Sequence, residues 1–170
     1  MPSKNMKEVK IEKLVLNVGT SPEPKEVKKA LFLLETVSGI KPVSTRSKKR
    51  IAEWKIRPGV PIGAKVTLRG AKAEALLKRL LHAVDFKLRE KQFTPNGFSF
   101  GVKEYIEIEG VKYEPKLGMM GLEVCVTLMR PGFRVKQKRL HSGKIGKKHI
   151  ITKADAIQYA STKLGVKFEE

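Results

Sequence analysis

The stretch Lys41-Pro42-Val43-Ser44-Thr45-Arg46-Ser47-Lys48-Lys49-Arg50-Ile51-Ala52-Glu53-Trp54-Lys55-Ile56-Arg57-Pro58-Gly59-Val60-Pro61-Ile62-Gly63-Ala64-Lys65-Val66-Thr67-Leu68-Arg69-Gly70 reads as two extended segments around a basic loop. From Ile62 the side chains alternate. Ile62, Ala64, Val66 and Leu68 form an apolar set, and Lys65, Thr67 and Arg69 a polar one. Successive strand side chains point to opposite faces. One face therefore joins a core while the other offers two cations and a hydroxyl to a partner. Pro42 cannot donate to a ladder, which predicts a sheet edge for the short segment 41–46. Ser47 to Pro61 reads as a long loop, with a helical turn around Ser47 to Ala52.

Upstream, Val9 to Val18 alternates as a strand, with Leu14, Leu16 and Val18 on one face and Lys13, Val15 and Asn17 on the other. Val9 and Ile11 are out of phase with that set, which predicts a bulge near Glu12 and Lys13. Ser21-Pro22-Glu23-Pro24 predicts a helix start with Ser21 as cap. Val27, Ala30, Leu31, Leu33, Leu34 and Val37 give its apolar stripe, and Gly39 its left-handed end.

Downstream, Ala71 to Val84 carries a helical stripe of Leu76, Leu77, Leu80, Leu81 and Val84. Gln92 to Gly101 reads as a loop whose aromatics either stack on bases or pin it to the core, with pinning preferred. Val102 to Ile108 has short strand-like stretches, and Leu122 to Met129 alternates as a full strand. Thr152 and Asp155 predict a capping box for a last helix with Ile157, Ala160 and Leu164 as its apolar face, ended by Gly165. Strands not regularly interleaved with crossover helices predict an α+β fold: a mainly antiparallel sheet with helices packed on one face, a long basic loop and a C-terminal basic arm. A chain of 170 residues with 41% apolar residues fits a single domain, with a loose start at 1–8, the arm at 131–151 and the last helix at 152–165.

The charge is concentrated. Lys and Arg number 36 against 17 Asp and Glu, a formal net charge of +19. Lys41, Arg46, Lys48, Lys49, Arg50, Lys55 and Arg57 surround one acid, Glu53. A second concentration, Arg134, Lys136, Lys138, Arg139, Lys144, Lys147 and Lys148, contains no acid. Clustered excess of this kind is the footprint of a polyanionic partner. Ser44, Thr45 and Ser47 add neutral donors for phosphate oxygens. Trp54 fits two roles equally, a stacking platform for a base or ribose and a core anchor for the loop.

Catalytic signatures are missing. Gly143-Lys144-Ile145-Gly146-Lys147-Lys148 lacks the spacing and the hydroxyl of a phosphate loop, and no nucleophile elbow, zinc helix or paired-cysteine motif occurs. The single Cys125 excludes an intrachain disulfide and reads as a small strand residue. His82, His141 and His149 lack ligand partners at suitable spacing. The expectation is a protein with no catalytic residue, no metal and no cofactor. No secretory signal or membrane-length apolar run is read, so the expected place is the cytoplasm.

The run from Lys41 to Gly70 resembles the signature of the universal large-subunit ribosomal protein five family, which binds 5S rRNA. Lys-Pro-x-x-Thr-Arg-x-Lys-Lys and Pro-Ile-Gly-x-Lys-Val-Thr-Leu-Arg-Gly carry the likeness. It extends upstream through Ile11-Glu12-Lys13-Leu14-Val15-Leu16-Asn17-Val18-Gly19, and downstream through Phe98-Ser99-Phe100-Gly101 to the strand after Gly121. Arg130-Pro131-Gly132-Phe133-Arg134 and the basic tail look archaeal in type. The resemblance implies an α+β structural component of the large ribosomal subunit. It implies attachment of 5S rRNA to the central protuberance beside large-subunit protein eighteen, and contact with large-subunit rRNA. It places Asn17, Thr67 and Arg69 on the face meeting 5S rRNA, to which Lys65, Thr45, Arg46, Lys48 and Lys49 are added as neighbours. The loop with Trp54, Lys55, Ile56 and Arg57 is implied to reach P-site tRNA, and the region after Tyr105 to meet small-subunit protein thirteen in an intersubunit bridge. Arg134, Lys136, Lys138, Arg139, Lys147 and Lys148 are expected to give general rRNA phosphate contacts. The rival reading is a non-specific nucleic-acid chaperone.

Overall fold

A computed structural model describes residues 5–169; the start of the expected loose N-terminus, residues 1–4, lies outside them. Alternation becomes strand wherever it is sustained. β1 (Lys10–Gly19) buries Leu14, Leu16 and Val18, and its ladder slips between Ile11 and Lys13, as the phase change requires. α1 (Pro24–Ser38) opens on Pro24 and closes on Gly39 at φ 65°, a left-handed conformation that glycine adopts without a Cβ clash. Ser21 does not cap it. Its hydroxyl and amide donate to the Glu26 carboxylate, and Glu23 holds the cap position without a side-chain bond. Leu31 is only half-buried, because the stripe centres on Val27, Ala30, Leu33, Leu34 and Val37.

β2 (Val43–Arg46) follows, then β3 (Pro61–Leu68), α2 (Ala71–His82) and β4 (Lys87–Arg89). Val84 falls beyond α2 and is half-buried. The segment expected as a loop at 92–101 is a hairpin of β5 (Phe93–Thr94) and β6 (Gly97–Val102), turned at Asn96 with φ 77°. Phe93, Phe98 and Phe100 are buried and stacked in series, so pinning wins over base stacking. Tyr105–Glu107 is a short 3-10 turn rather than strand. β7 (Leu122–Met129) buries every second residue. α3 (Arg134–Gln137) is one turn inside the basic arm, and α4 (Lys153–Leu164) carries the expected Thr152–Asp155 capping box. α4 buries Ala156 and Ala160, while Ile157 and Leu164 sit half-buried at its edge. β8 (Lys167–Glu169) pairs in parallel with β4, a pairing that the sequence reading did not anticipate.

Six strands form one antiparallel sheet in the order β2-β3-β1-β7-β6-β5. β2 lies at its edge, as Pro42 requires. The apolar stripes of α1, α2 and α4 join the inward side chains of the strands in one core, which includes Leu16, Leu33, Val66, Leu77, Val124 and Ala160. Helices cover one face of the sheet and leave the other open.

Candidate nucleic-acid interface

Strand register decides which polar side chains share the open face. Lys65 pairs with Asn17 and Asn17 with Glu123, so these three form one row across β3, β1 and β7. The next row runs Thr67, Val15, Cys125, Ser99. Lys13 and Thr127 begin a third, beside the exposed Arg69 just past the end of β3. Val66 and Leu68, on either side of Thr67, are buried, whereas Lys65 and Arg69 are exposed. Thr67 and Asn17 are half-exposed, as expected for short side chains lying on a sheet. Paired strands stand about 4.8 Å apart, so each row offers functional groups at fixed intervals.

Gly63 permits the close approach at one end of this face. A Cβ there would come within 2.4 Å of the Val18 carbonyl oxygen and 3.0 Å of Thr45 Oγ1. Thr45 therefore lies beside Gly63 on the open side. Arg46, Lys48 and Lys49 continue from it, all exposed.

The loop between β2 and β3 is built rather than slack. Ser47 and Val60 extend the ladder, with Ser47 N donating to Val60 O at 2.9 Å. Ile51 and Ile56 then exchange two backbone bonds of 3.0 Å each. The tip, Ala52 to Lys55, turns through Lys55 at φ 53°. No helical turn forms at 47–52, because the Ser47 hydroxyl instead accepts from Lys49 N and donates to Lys49 O in a local turn. This hairpin projects Trp54, which is 65% exposed, together with the exposed Lys55 and Arg57. Trp54 is thus a presented side chain, not a core anchor. Ile56 is buried and gives the hairpin its footing instead of facing outward.

The basic arm stands at the opposite end of the strands, roughly 25 Å away for an eight-residue strand. Gln137 Nε2 donates to Glu12 Oε1 at 2.8 Å beside the β1 bulge. His149 Nε2 lies 2.8 Å from the Pro131 carbonyl oxygen, and its ring meets Phe133 edge-on. Arg130 bonds Asp155 at 3.0 Å, tying the end of β7 to the start of α4. These contacts leave Arg134, Lys136, Lys138, Arg139, Lys144, Lys147 and Lys148 exposed. A groove of about 640 Å³ between the arm and the sheet is lined by Lys13, Thr127, Lys136 and Lys144.

Ion pairs among the described residues include Lys10 with Glu8 and Arg130 with Asp155. Lys10, opposite Met129 at the arm end of β1, is the open-face cation so paired, and neither pair involves Lys13, Lys65, Arg69, the hairpin cations or the exposed arm cations. The sequence reading did not single out two members of this face as contacts. Lys13 shares it with Asn17 through the alternation already noted, and Glu123 faces it from β7. Among the described residues no cluster of His, Cys, Asp or Glu could hold a metal ion, and no helix is long and apolar enough to cross a membrane.

An ordered polar sheet face between two unneutralised basic projections defines a basic α+β protein of the nucleic-acid-binding class. The chain belongs to the ribosomal protein L5 family. Residues 4–57 match the model described as ribosomal protein L5, and residues 61–159 match the model of the same family's C-terminus. The large ribosomal subunit protein uL5 of Nanoarchaeum equitans is 49% identical over 162 residues, spanning 95% of this chain and 96% of that one. Its counterpart in Nitrosopumilus maritimus is 43% identical over 95% of this chain and 94% of its own. That of Sulfurisphaera tokodaii is 38% identical over 97% and 94% respectively. The family consists of structural, non-enzymatic ribosomal components.

Proposed function

We propose that this protein attaches 5S rRNA to the central protuberance of the large ribosomal subunit, in the cytoplasm, using the open face of its sheet. The observation that carries this reading is the placement of Lys13, Asn17, Lys65, Thr67 and Arg69 on one rigid face with every major helix behind it. Thr45, Arg46, Lys48 and Lys49 extend the contact at one end. The hairpin tip, with Trp54, Lys55 and Arg57, reaches P-site tRNA. The arm cations clamp large-subunit rRNA phosphates. Large-subunit protein eighteen sits beside the bound 5S rRNA, and the segment after Tyr105 meets small-subunit protein thirteen. The chain acts as a single folded unit, supported by a central sheet that draws β1 and β2 from one family-matched segment and β3, β6 and β7 from the other.

A general nucleic-acid chaperone would need no such register of side chains, since charge alone gives sequence-independent affinity. Nucleotide-resolution footprinting of 5S rRNA, with unrelated RNA of equal length as competitor, tests the choice. A compact protected site that survives excess competitor is expected. Diffuse protection, abolished equally by any RNA, would refute the reading.

A further inference from the structure

Away from the bulge that Glu12 occupies, the open face holds one carboxylate among the described residues, on a central strand but in the row nearest the basic hairpin. Glu123 lies on β7 opposite Asn17, with Lys65 one strand beyond Asn17. Its Oε2 accepts from Asn17 Nδ2 at 2.9 Å. Among the described residues no cation pairs with it. Lys65, two strands away and roughly 10 Å off at the backbone, makes no ion pair with it. An acid here opposes phosphate binding, so a surface selected only for affinity for a polyanion would not place one there.

The hydrogen bond also sets Asn17. A carboxylate only accepts, so the Asn17 amide nitrogen must face Glu123. That leaves Asn17 Oδ1 and one amide hydrogen free, beside the unused lone pairs of Glu123. This end of the face is therefore rich in acceptors, while Lys65 in the same row and Lys13 and Arg69 two rows toward the arm are donors. Phosphate has no donor at neutral pH. The RNA groups that do are base amino and imino N–H groups and the ribose 2′-hydroxyl.

We infer that Glu123, braced by Asn17, is a specificity-determining residue that takes an N–H or O–H donor of an RNA nucleotide at the hairpin end of the sheet face and leaves phosphates to the neighbouring cations. This rests on the proposed RNA-binding role of the face. It assigns the face two jobs: the cations fix the backbone and the Asn17–Glu123 pair reads a nucleotide.

The test compares wild type with Glu123→Gln, which keeps the shape and the possibility of a bond to Asn17 but removes the charge. The position is exposed, and the thermal melt serves as a fold control. Filter binding measures affinity for 5S rRNA and for an unrelated structured RNA of equal length. The expected result is a drop of about tenfold in the ratio of the two affinities, the scale of one good polar readout, arising mainly from tighter binding of the unrelated RNA. Interference mapping identifies the donor. One pool of 5S rRNA carries base analogues that lack the exocyclic amino group, another 2′-deoxy substitutions. Wild type should show a discrete interference position in one pool, and Glu123→Gln should lose it. A wild type without 5S preference would remove the underlying reading and this inference together. A wild-type preference that Glu123→Gln retains, or an unchanged interference pattern, would overturn the inference alone.

Discussion

The open sheet face and the basic arm present the same kind of charge in different mechanical settings. Lys65 and Thr67 stand on a strand paired on both sides, with buried Val66 and Leu68 locking it to the core. Lys136 and Lys138 stand in and just after one helical turn, held through Gln137 and Glu12 and by the bond from Gly143 N to Val135 O. The arm has more cations than the face. It has fewer fixed distances between them. Charge count governs affinity for any polyanion, whereas fixed spacing allows one folded RNA to be told from another. The two regions should therefore fail differently when altered.

The largest expected effect belongs to both together. Neutralising about six phosphates makes the affinity for 5S rRNA fall by about three decades between 50 and 200 mM salt. A slope near zero in filter binding would break the comparison at its root, since neither region would then be acting through phosphates. Next comes the face. Thr67→Val with Arg69→Ala should lower 5S rRNA affinity by about a hundredfold, while binding of unrelated RNA falls only by about the share of one lost phosphate contact. Replacing Lys136, Lys138 and Lys147 by Ala should cost about tenfold on every RNA at moderate salt and flatten the salt slope by about two to three units. Equal loss of 5S preference from the two variants would erase the distinction between face and arm.

The same contrast explains what the sequence disclosed. Sustained alternation in Leu14–Val18, Ile62–Leu68 and Leu122–Met129 marked the three central strands, because burial on one side forces that pattern. The open face followed from its complement. Short elements were less legible. Lys87-Leu88-Arg89 is too brief to show a period, and its parallel partner β8 lies near the other end of the chain. In β6 the positions turned away from the core are the buried Gly97 and the exposed Ser99 and Gly101, so small residues and the preceding Pro95-Asn96 resembled a loop. Periodicity favoured Ile157 over Ala156 in α4, but the tight site went to the smaller side chain. Ile56 looked like a loop-tip residue until its pairing with Ile51 placed it inside the hairpin. The alternation of Leu122–Met129 puts Glu123 on the outward side, but its link to Asn17 depends on the neighbouring strand's register. That register comes from a pairing more than a hundred residues distant in sequence.

The smallest expected effect tests whether the root of the arm is separable from the face. Asp155 caps α4 by accepting from Thr152 N at 2.9 Å and also bonds Arg130 at the end of β7. The backbone bond from Thr152 comes first among the causes that hold its carboxyl below the usual range, with Arg130 adding to it. A depressed folded-state pKa stabilises the fold above the unfolded value, near 3.9, and that contribution is lost as pH falls through the lower folded value. Asp155 is partly exposed, which tempers the contribution of the ion pair. Asp155→Asn should therefore cost about 1 kcal/mol in urea unfolding at pH 7, the scale of a lost helix cap. The difference from wild type should shrink at pH 3 and vanish at still lower pH. The ratio of 5S to unrelated RNA affinity should stay within about twofold of wild type, because nothing in the Lys65–Asn17–Glu123 row depends on α4's cap. A variant that unfolds no more easily yet loses 5S preference would mean that the arm's root sets the geometry of the face, and the two regions would have to be treated as one binding element.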